Sequence, residues 1–292
     1  MTKAFSYRDA FSRNIGWVTE AEQETLRGKR IAIAGMGGVG GVHLLTLVRL
    51  GIGAFHIADF DTFAIENFNR QIGATVSTIG LPKTEVLAAM ARDINPEVDI
   101  RIFPEGIGES NLREFLSGVD LYIDGLDFFA FSARQITFAA CAEYAIPAVT
   151  AAPLGMGAAV LSFMPGKMTF EQYFQWGNLS DQEKGLRFLL GLAPGRLHGS
   201  YLVDPSTVNL KEQRGPSSII GCQLCAGVAA AEAVKILLRR GKVLVAPRGF
   251  HFDAYRNRFI RTWRPGGSNN PWQRSIRMIA RRQLLKQGSS NG

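Results

Sequence analysis

Short apolar runs recur along the first 165 residues, and longer amphipathic or apolar stretches separate them. Apolar runs of this length, bounded by glycine and polar residues, are typical of buried strands, and the longer stretches are typical of helices. The predicted strands are 31–34, 54–58, 98–103, 121–124 and 148–150, with further candidates around 156–163, at 243–245 and at 249–252. The predicted helices are 42–50, 81–94, 111–116, 132–144 and 218–238.

This alternation of strands and helices predicts an α/β fold. The spacing favours a Rossmann-like, doubly wound, mostly parallel sheet with helices on both faces. The pattern breaks at about 165–215, which we interpret as a long crossover insertion. The chain then divides into an N-terminal helical arm (1–28), a main domain (29–253) that contains the insertion, and a C-terminal tail (254–292).

The positive charge of the chain is concentrated in its tail. The formal net charge is +8, and nine Lys and Arg residues but no Asp or Glu follow Asp253. Within the tail, Trp272, Ile276 and Ile279 recur at helical spacing with arginines between them, which predicts a basic amphipathic helix. Such a helix either contacts an anionic membrane or RNA, or docks its apolar stripe on the protein body or on a partner subunit.

The composition also indicates a cellular compartment. No stretch reaches the roughly 18 uninterrupted apolar residues that a membrane-spanning helix needs, and the N-terminal segment lacks the apolar core of a secretory signal. Three cysteines in 292 residues do not make a disulfide framework. We therefore expect a cytoplasmic protein.

A glycine-rich loop follows the first predicted strand and opens the next helix. Gly35, Gly37 and Gly40 match the dinucleotide-binding pattern G-x-G-x-x-G. Asp59 ends the second predicted strand, where a ribose-binding acid is found in such folds. A loop of this kind lets the backbone approach a phosphate at a helix N-terminus. These features predict an adenosine-containing ligand without selecting among NAD, FAD and others.

Charged residues beyond the loop favour a nucleotide that is cleaved. Arg70 and Lys83 are two cations that can neutralise charge on phosphate oxygens as it develops. Asp127 follows the fourth predicted strand, at the edge where ligands of doubly wound sheets bind, and can hold Mg²⁺. A nicotinamide enzyme has no need of this combination, whereas an ATP-cleaving enzyme does.

At these residues the chain resembles the ThiF/HesA/MoeB family, whose members are similar to ubiquitin-activating enzymes. The resemblance rests on the glycine loop, on the segment from Asp59 to Gln71 with its pattern DxD-(x5)-NxNRQ, and on the later Lys83 and Asp127. It covers roughly residues 7–165 and the helix at 218–238. It implies that the 29–253 domain is an ATP-binding adenylyltransferase domain.

The resemblance also implies individual roles. Gly38 and its neighbours would contact phosphate, Asp59 would bind the ribose, and Asp127 would bind Mg²⁺. The implied phosphate-binding residues are Asn67, Arg70, Gln71 and Lys83, and Asp61 belongs to the same cofactor-binding motif. The implied reaction is attack of a substrate carboxylate on the α-phosphate of ATP. No general base is needed, because a carboxylate is already ionised at pH ~7.

The same resemblance predicts a homodimer. Family members carry an arginine near the N-terminus that reaches the nucleotide site of the partner subunit, and the segment Tyr7-(x5)-Arg13-Asn14 matches that region. Arg13 is therefore a candidate for a catalytic residue acting in trans, against the plain alternative of a surface arginine.

Three departures from the family pattern restrict the range of functions that the resemblance implies. Cys222 and Cys225 form one C-x-x-C pair with no second pair, so we expect no zinc site. Residues 165–215 contain no cysteine, which disfavours an enzyme-bound thioester. Phe128 and Phe129 follow Asp127 where asparagine is usual, which suggests an apolar rim near the acceptor carboxylate.

The leading interpretation is an enzyme that uses ATP and Mg²⁺ to adenylate the carboxylate of a small protein, a peptide or a metabolite. A related possibility is a dehydratase of the same family that cyclises a carboxylate on a modified tRNA adenosine. An NAD- or FAD-dependent oxidoreductase and a non-catalytic scaffold are the alternatives from other classes.

Overall fold

Eight strands join into one sheet in the part of the chain that the computed structural model describes, residues 4–195, 197–208, 215–271, 273–275 and 277–278. The strands are β1 (Arg30–Ala34), β2 (Ala54–Ala58), β3 (Asp99–Phe103), β4 (Leu121–Asp124), β5 (Ala148–Pro153), β6 (Gly157–Phe163), β7 (Arg248–Asp253) and β8 (Arg258–Trp263). Their order is β3-β2-β1-β4-β5-β6-β7-β8, with the first five parallel and the last three antiparallel.

Helices cover both faces of this sheet, as predicted. Those assigned within the described residues are α1 (Tyr7–Ala10), α2 (Glu20–Arg27), α3 (Gly40–Arg49), α4 (Lys83–Ile94), α5 (Leu112–Phe115), α6 (Phe131–Glu143), α7 (Phe170–Phe174), α8 (Asp181–Leu192) and α9 (Ile219–Leu237). α3, α4 and α9 bury one apolar cluster against the sheet, and α5 to α8 bury another against the opposite face. The doubly wound α/β prediction is therefore confirmed.

Of the two strands predicted after α9, one is present in the structure and the other is not. The run 249–252 lies in β7, but 243–245 is not a strand and meets the sheet only where Val245 bridges to Ser162. The reason is that β7 already occupies the edge of β6 from Gly157 to Leu161. β8 was not predicted at all, and it places residues of the predicted tail inside the sheet. The amphipathic pattern of Trp272, Ile276 and Ile279 lies outside the described residues.

The crossover insertion contributes to the core. Phe170, Tyr173, Phe174 and Trp176 are almost completely buried, so they are packing residues and do not form an exposed lid. The rings of Phe174 and Trp176 contact Phe188 of α8, with centroids 5.2 Å and 5.6 Å apart. Burial of these large rings provides much of the driving force that holds the insertion on the sheet.

α9 is long and apolar enough to cross a membrane by length and composition alone. Here it packs along β5, β6 and α3, and half of its most apolar window is buried inside the protein. Its small residues, including Ala226, Ala229 and Ala233, allow this close approach to the sheet. We therefore regard α9 as a core helix.

A buried ion pair fixes the loop that follows β4. Arg134 of α6 donates from Nε to Asp124 Oδ2 at 2.8 Å, and both side chains are 2% exposed. Thr150 Oγ1 donates to the same carboxylate oxygen at 2.9 Å. The remaining nitrogens of Arg134 donate to the carbonyl oxygens of Leu126, Asp127 and Phe128. One guanidinium thus ties the strand end, the helix and the loop together.

We predict that Arg134→Met strongly destabilises the fold. The substitution leaves the Asp124 carboxylate buried without its cation, a change that typically costs about 3–5 kcal/mol. Urea unfolding of the full chain measures this as a lower free energy of unfolding, and adding Asp124→Asn should restore part of the loss because both charges are then gone.

Arg8→Met is the matched control. Arg8 pairs with Glu20 at 3.0 Å, but the two side chains are 82% and 69% exposed. Such surface pairs contribute little, so the change should stay within about 0.5 kcal/mol. Equal effects of Arg8→Met and Arg134→Met on stability would contradict the role assigned to the buried pair.

Candidate functional site

The glycine loop packs against the loop after β4 with no room for side chains. A Cβ atom on Gly35 would lie 2.3 Å from the carbonyl oxygen of Gly125, and a Cβ on Gly40 would lie 1.7 Å from that of Gly35. Gly35 also has a φ of +85°, which glycine adopts without strain. These contacts keep the backbone of the loop open toward a ligand at the N-terminus of α3.

Asp59 follows β2 and supports this loop directly. Its Oδ2 accepts a hydrogen bond from the backbone N–H of Met36 at 2.6 Å, and its Oδ1 accepts one from the N–H of Asp61 at 2.8 Å. Since β2 and β1 are parallel neighbours, their carboxyl ends meet at the same edge of the sheet. The predicted ribose-binding acid thus lies beside the phosphate-binding loop.

Two further predicted residues lie beside the loop. The Cγ and Cδ atoms of Arg70 lie 3.5 Å and 3.7 Å from where a Cβ of Gly38 would be, and Gln71 Nε2 lies 3.8 Å from the same position at Gly37. Gln71 is buried, and its Oε1 has no hydrogen-bond partner among the described residues. A buried acceptor left in this way beside the loop suits a hydrogen-bond donor of a bound ligand.

Lys83 and Asp61 form an ion pair near the start of α4. Lys83 Nζ lies 2.8 Å from Asp61 Oδ2, with the lysine side chain 7% and the aspartate 52% exposed. The N–H of Lys83 also donates to the carbonyl oxygen of Asp61 at 3.0 Å. The ion pair keeps the largely buried ammonium of Lys83 beside the segment that follows Asp59. An anionic ligand bound there would compete with Asp61 for this ammonium.

The asparagines of the motif have structural partners. Asn67 is buried, and its Oδ1 accepts from the N–H of Ala64 at 3.0 Å, so it closes a turn. Asn69 Nδ2 donates to the carbonyl oxygen of Ser217 at 2.9 Å and connects the motif to the chain before α9. Arg70 Nη1 donates to Glu66 O and to Asn69 Oδ1. A phosphate-binding role for Asn67 stays a prediction.

Asp127 lies at the same edge of the sheet, in the loop clamped by Arg134. Its side chain is exposed, and Oδ1 accepts from the N–H of Phe129 at 3.0 Å. The loop reaches the glycine loop because Gly125 and Leu126 contact Gly35. Asp124 was not among the residues predicted for the site, although it ends a buried strand and an arginine follows ten residues later.

Of the C-x-x-C pair, Cys222 lies close to the site. Cys222 Sγ is 3.0 Å from the Cβ position of Gly38, and both Cys222 and Cys225 are buried. Burial raises the pKa of the Cys222 thiol and raises that of Cys225 well above its usual value. Neither is therefore a thiolate at neutral pH. Within the described ranges, no group of at least three His, Cys, Asp and Glu side chains is placed to hold a metal ion.

Arg13 belongs to the N-terminal arm, which its own chain holds away from the glycine loop. It is exposed, and the neighbouring Asn14 donates to the carbonyl oxygen of Leu50 at 3.4 Å. Tyr7 of the same arm donates to Gly51 O at 2.6 Å. These contacts anchor the arm at the C-terminal end of α3, about 15 Å along the helix from the loop at its start.

Comparisons with known proteins agree with this geometry. The chain is 33% identical over 150 residues to the tRNA threonylcarbamoyladenosine dehydratase of Bacillus subtilis, which covers 51% of this chain and 57% of that protein. It is 29% identical over 143 residues to the sulfur carrier protein ThiS adenylyltransferase of Escherichia coli, covering 49% and 56%. The matches span about half the length of these relatives.

The fold is shared with solved structures. Escherichia coli MccB in complex with ATP matches with a TM-score of 0.61 and 18% identity, covering 86% of this chain and 68% of that one. The family model described as "ThiF family" matches residues 11–273. Because this match includes the glycine loop, the motif after β2, Lys83 and Asp127, and extends over nearly the whole chain, the protein belongs to the ThiF family.

Proposed function

We propose that the protein is an adenylyltransferase that activates a substrate carboxylate with ATP. The observation that carries the proposal is the meeting of three loops at one edge of the sheet. They bring the glycine loop together with Asp59, Arg70 and Asp127. The names of relatives support it, since one is an adenylyltransferase and a related fold binds ATP.

In this proposal the chain's own groups position and neutralise charge. The backbone of the glycine loop and the N-terminus of α3 receive phosphate oxygens. Arg70 and Lys83 offset the negative charge that develops as the carboxylate oxygen bonds to the α-phosphorus and the bond to pyrophosphate breaks. The products are an acyl-adenylate and pyrophosphate. The ion pair with Asp61 holds Lys83 in place before the nucleotide binds.

Asp127 fits the magnesium ion that such a reaction uses. Mg²⁺ prefers oxygen ligands, and it usually takes one or two carboxylates together with substrate phosphates and water. Asp127 offers an exposed carboxylate whose Oδ1 is oriented by the N–H of Phe129. The ion, when bound there, would neutralise charge on the phosphates.

The acceptor that we favour is the C-terminal carboxylate of a peptide or small protein, released or passed on without an enzyme thioester. Residues 165–215 contain no cysteine, and burial raises the pKa of Cys222 and of Cys225. Phe128 and Phe129 are only partly buried beside Asp127, which gives the approach to the site an apolar wall.

A dehydratase acting on a modified tRNA is the second candidate. It is favoured by the name of the Bacillus subtilis relative, whose match covers 51% of this chain. The two candidates share the adenylation step and differ in the acceptor. Membership of the ThiF family disfavours the oxidoreductase alternative.

We also propose that the protein acts as a homodimer in which Arg13 completes the partner's site. The arm is anchored at the end of α3 that lies away from the glycine loop of its own chain. An exposed arginine in that position can serve a nucleotide site only across a subunit interface.

Pyrophosphate exchange tests the adenylation step. With ATP, Mg²⁺ and a panel of peptide carboxylates, we expect exchange with some of the panel, and Asp127→Asn should lower its rate at least ~100-fold, as loss of one preorganised charge-stabilising group does. Asp93→Asn, on an exposed position of α4, is the matched control and should leave the rate unchanged. A normal rate with Asp127→Asn would remove this residue from the site.

Mixed dimers test the role of Arg13. Arg13→Ala and Lys83→Ala should each abolish exchange, because each removes one cation from every site. When the two variants are mixed and allowed to exchange subunits, random pairing in a two-fold dimer leaves about a quarter of the sites intact. We expect that fraction of the wild-type rate to return. No recovery, in a mixture shown to contain heterodimers, would mean that Arg13 does not act in trans.

A further inference from the structure

β8 is the last strand of the sheet, and among the described residues no further strand pairs with its outer edge. The sheet order ends at β8, which pairs only with β7 within the described chain. It has 6 residues, an ordinary strand length. Proteins usually protect such an edge, because a row of unpaired N–H and C=O groups is a template for another strand.

The register identifies the residues whose backbone faces outward. Trp263 lies opposite Arg248, and the N–H of Arg264 donates to the carbonyl oxygen of Pro247 at 2.9 Å. In an antiparallel ladder, hydrogen-bonded and non-hydrogen-bonded pairs alternate. Counting back from Arg264, the residues whose backbones bond toward β7 are Arg258, Ile260 and Thr262. Those whose backbones face outward are Phe259, Arg261 and Trp263.

The side chains of the outward-facing residues share one face of the sheet. Phe259 is 55% exposed and Trp263 is 65% exposed, unusual values for large aromatic residues in a strand. Arg261, also exposed, lies between them, and the guanidinium of Arg248 lies 5.8 Å from the centroid of the Trp263 ring. The helix on this face, α9, packs along β5 and β6, and β6 lies two strands away from β8.

The charge of this edge is positive. Arg248, Arg258 and Arg261 are exposed, and none of them pairs with a carboxylate among the residues that the structure describes. Alternating arginine and aromatic side chains along an open backbone edge match an extended peptide that carries acidic residues. Its backbone would pair with the edge, and its side chains would meet the arginines.

We propose that β8 binds an acidic segment of the substrate peptide as an additional antiparallel strand, upstream of the carboxylate that is activated. This identification of the segment as substrate rests on the proposed adenylation function. The bound strand would pair with Phe259, Arg261 and Trp263 and contact Arg258 and Arg248 at its margins.

The direction of the strands carries such a peptide toward the site. β5 is parallel to β4, and each of β6, β7 and β8 reverses the direction of its neighbour, so β8 runs away from the carboxyl edge. A strand antiparallel to β8 runs toward that edge. Five strand spacings of ~4.8 Å, about 24 Å in all, separate the added strand from β4, and about seven extended residues cover this distance. The C-terminal carboxylate then reaches the loop of Asp127.

Two other occupants fit the edge less well. A second copy of this chain that paired β8 with β8 around a two-fold axis centred on Arg261 would place the two Arg261 side chains opposite each other, which is unfavourable. Single-stranded RNA can stack on Phe259 and Trp263, but it has no peptide backbone to pair with the open edge.

Fluorescence anisotropy tests the proposal with the full chain and no ATP. The probe is a labelled peptide of alternating Glu and Thr with a free C-terminus, and the comparison peptide has Lys in place of Glu. We expect the Glu peptide to bind and the Lys peptide not to bind. Arg261→Ala should weaken binding about 5-fold by removing one ion pair at a partly exposed site. Arg113→Ala, at an exposed position of α5, is the matched control and should have no effect.

Arg261→Pro distinguishes the contribution of backbone pairing from that of charge. Like alanine, proline removes the guanidinium, but it also removes the outward N–H of residue 261. The ladder with β7 does not use this N–H, and edge strands tolerate proline at such positions. We expect at least a further ~5-fold loss relative to Arg261→Ala, about the effect of one lost hydrogen bond. Equal affinities of the two variants, or equal binding of the Lys peptide, would overturn strand addition.

Further measurements cover the remaining outcomes. If Arg261→Pro misfolds by circular dichroism, hydrogen exchange of the wild-type chain decides, and no added protection at 258–263 with the Glu peptide would overturn the proposal. The proposal would also be overturned if Arg261→Ala dissociated a dimer, because a second copy would then occupy the edge. It would be overturned as well if poly(U) displaced the peptide at equal concentration, because RNA would then be the better ligand. Peptide binding without pyrophosphate exchange for any carboxylate would defeat adenylation while leaving the β8 site in place.

Discussion

The buried pair of Asp124 and Arg134 is the interaction on which the site depends. An ion pair that is almost inaccessible to water must satisfy its hydrogen bonds, and here Thr150 and three loop carbonyl groups do so. Those same carbonyl groups belong to the loop that carries Asp127. The cost of burying the charges is therefore linked to the conformation of the loop, and the loop in turn fits against Gly35 without any intervening side chain.

Most strands of the parallel half could be predicted from the sequence because they are buried on both faces. Such strands are short, continuous apolar runs, as 31–34 and 121–124 are, and they occur in the structure within a residue of the predicted ends. The residues that meet at the glycine loop could also be predicted, because parallel strands bring their carboxyl ends to one edge of the sheet.

The antiparallel end could not be predicted in the same way. β8 mixes charged or polar residues with apolar ones and exposes both kinds, so its sequence shows neither an apolar run nor a buried face. Its strand conformation depends on pairing with β7, a contact set by the tertiary fold. The segment 243–245 shows the converse, since an apolar run remains irregular where β7 has already taken the available edge.

The parallel end of the sheet carries the glycine loop, and the antiparallel end presents the edge of β8. This difference suits the proposed enzyme, which must select one carboxylate among many. In the proposed function, the end of the sheet with the glycine loop would supply charge at fixed points, which would accelerate the reaction but distinguish poorly between acceptors that share a carboxylate. Discrimination then requires contacts away from the reacting atoms, where a longer substrate buries more surface and forms more hydrogen bonds. An open edge with Phe259, Arg261 and Trp263 facing outward offers such contacts. Because the edge is part of the same sheet as Asp124, a substrate bound there as proposed would be positioned relative to Asp127 by a continuous ladder of hydrogen bonds.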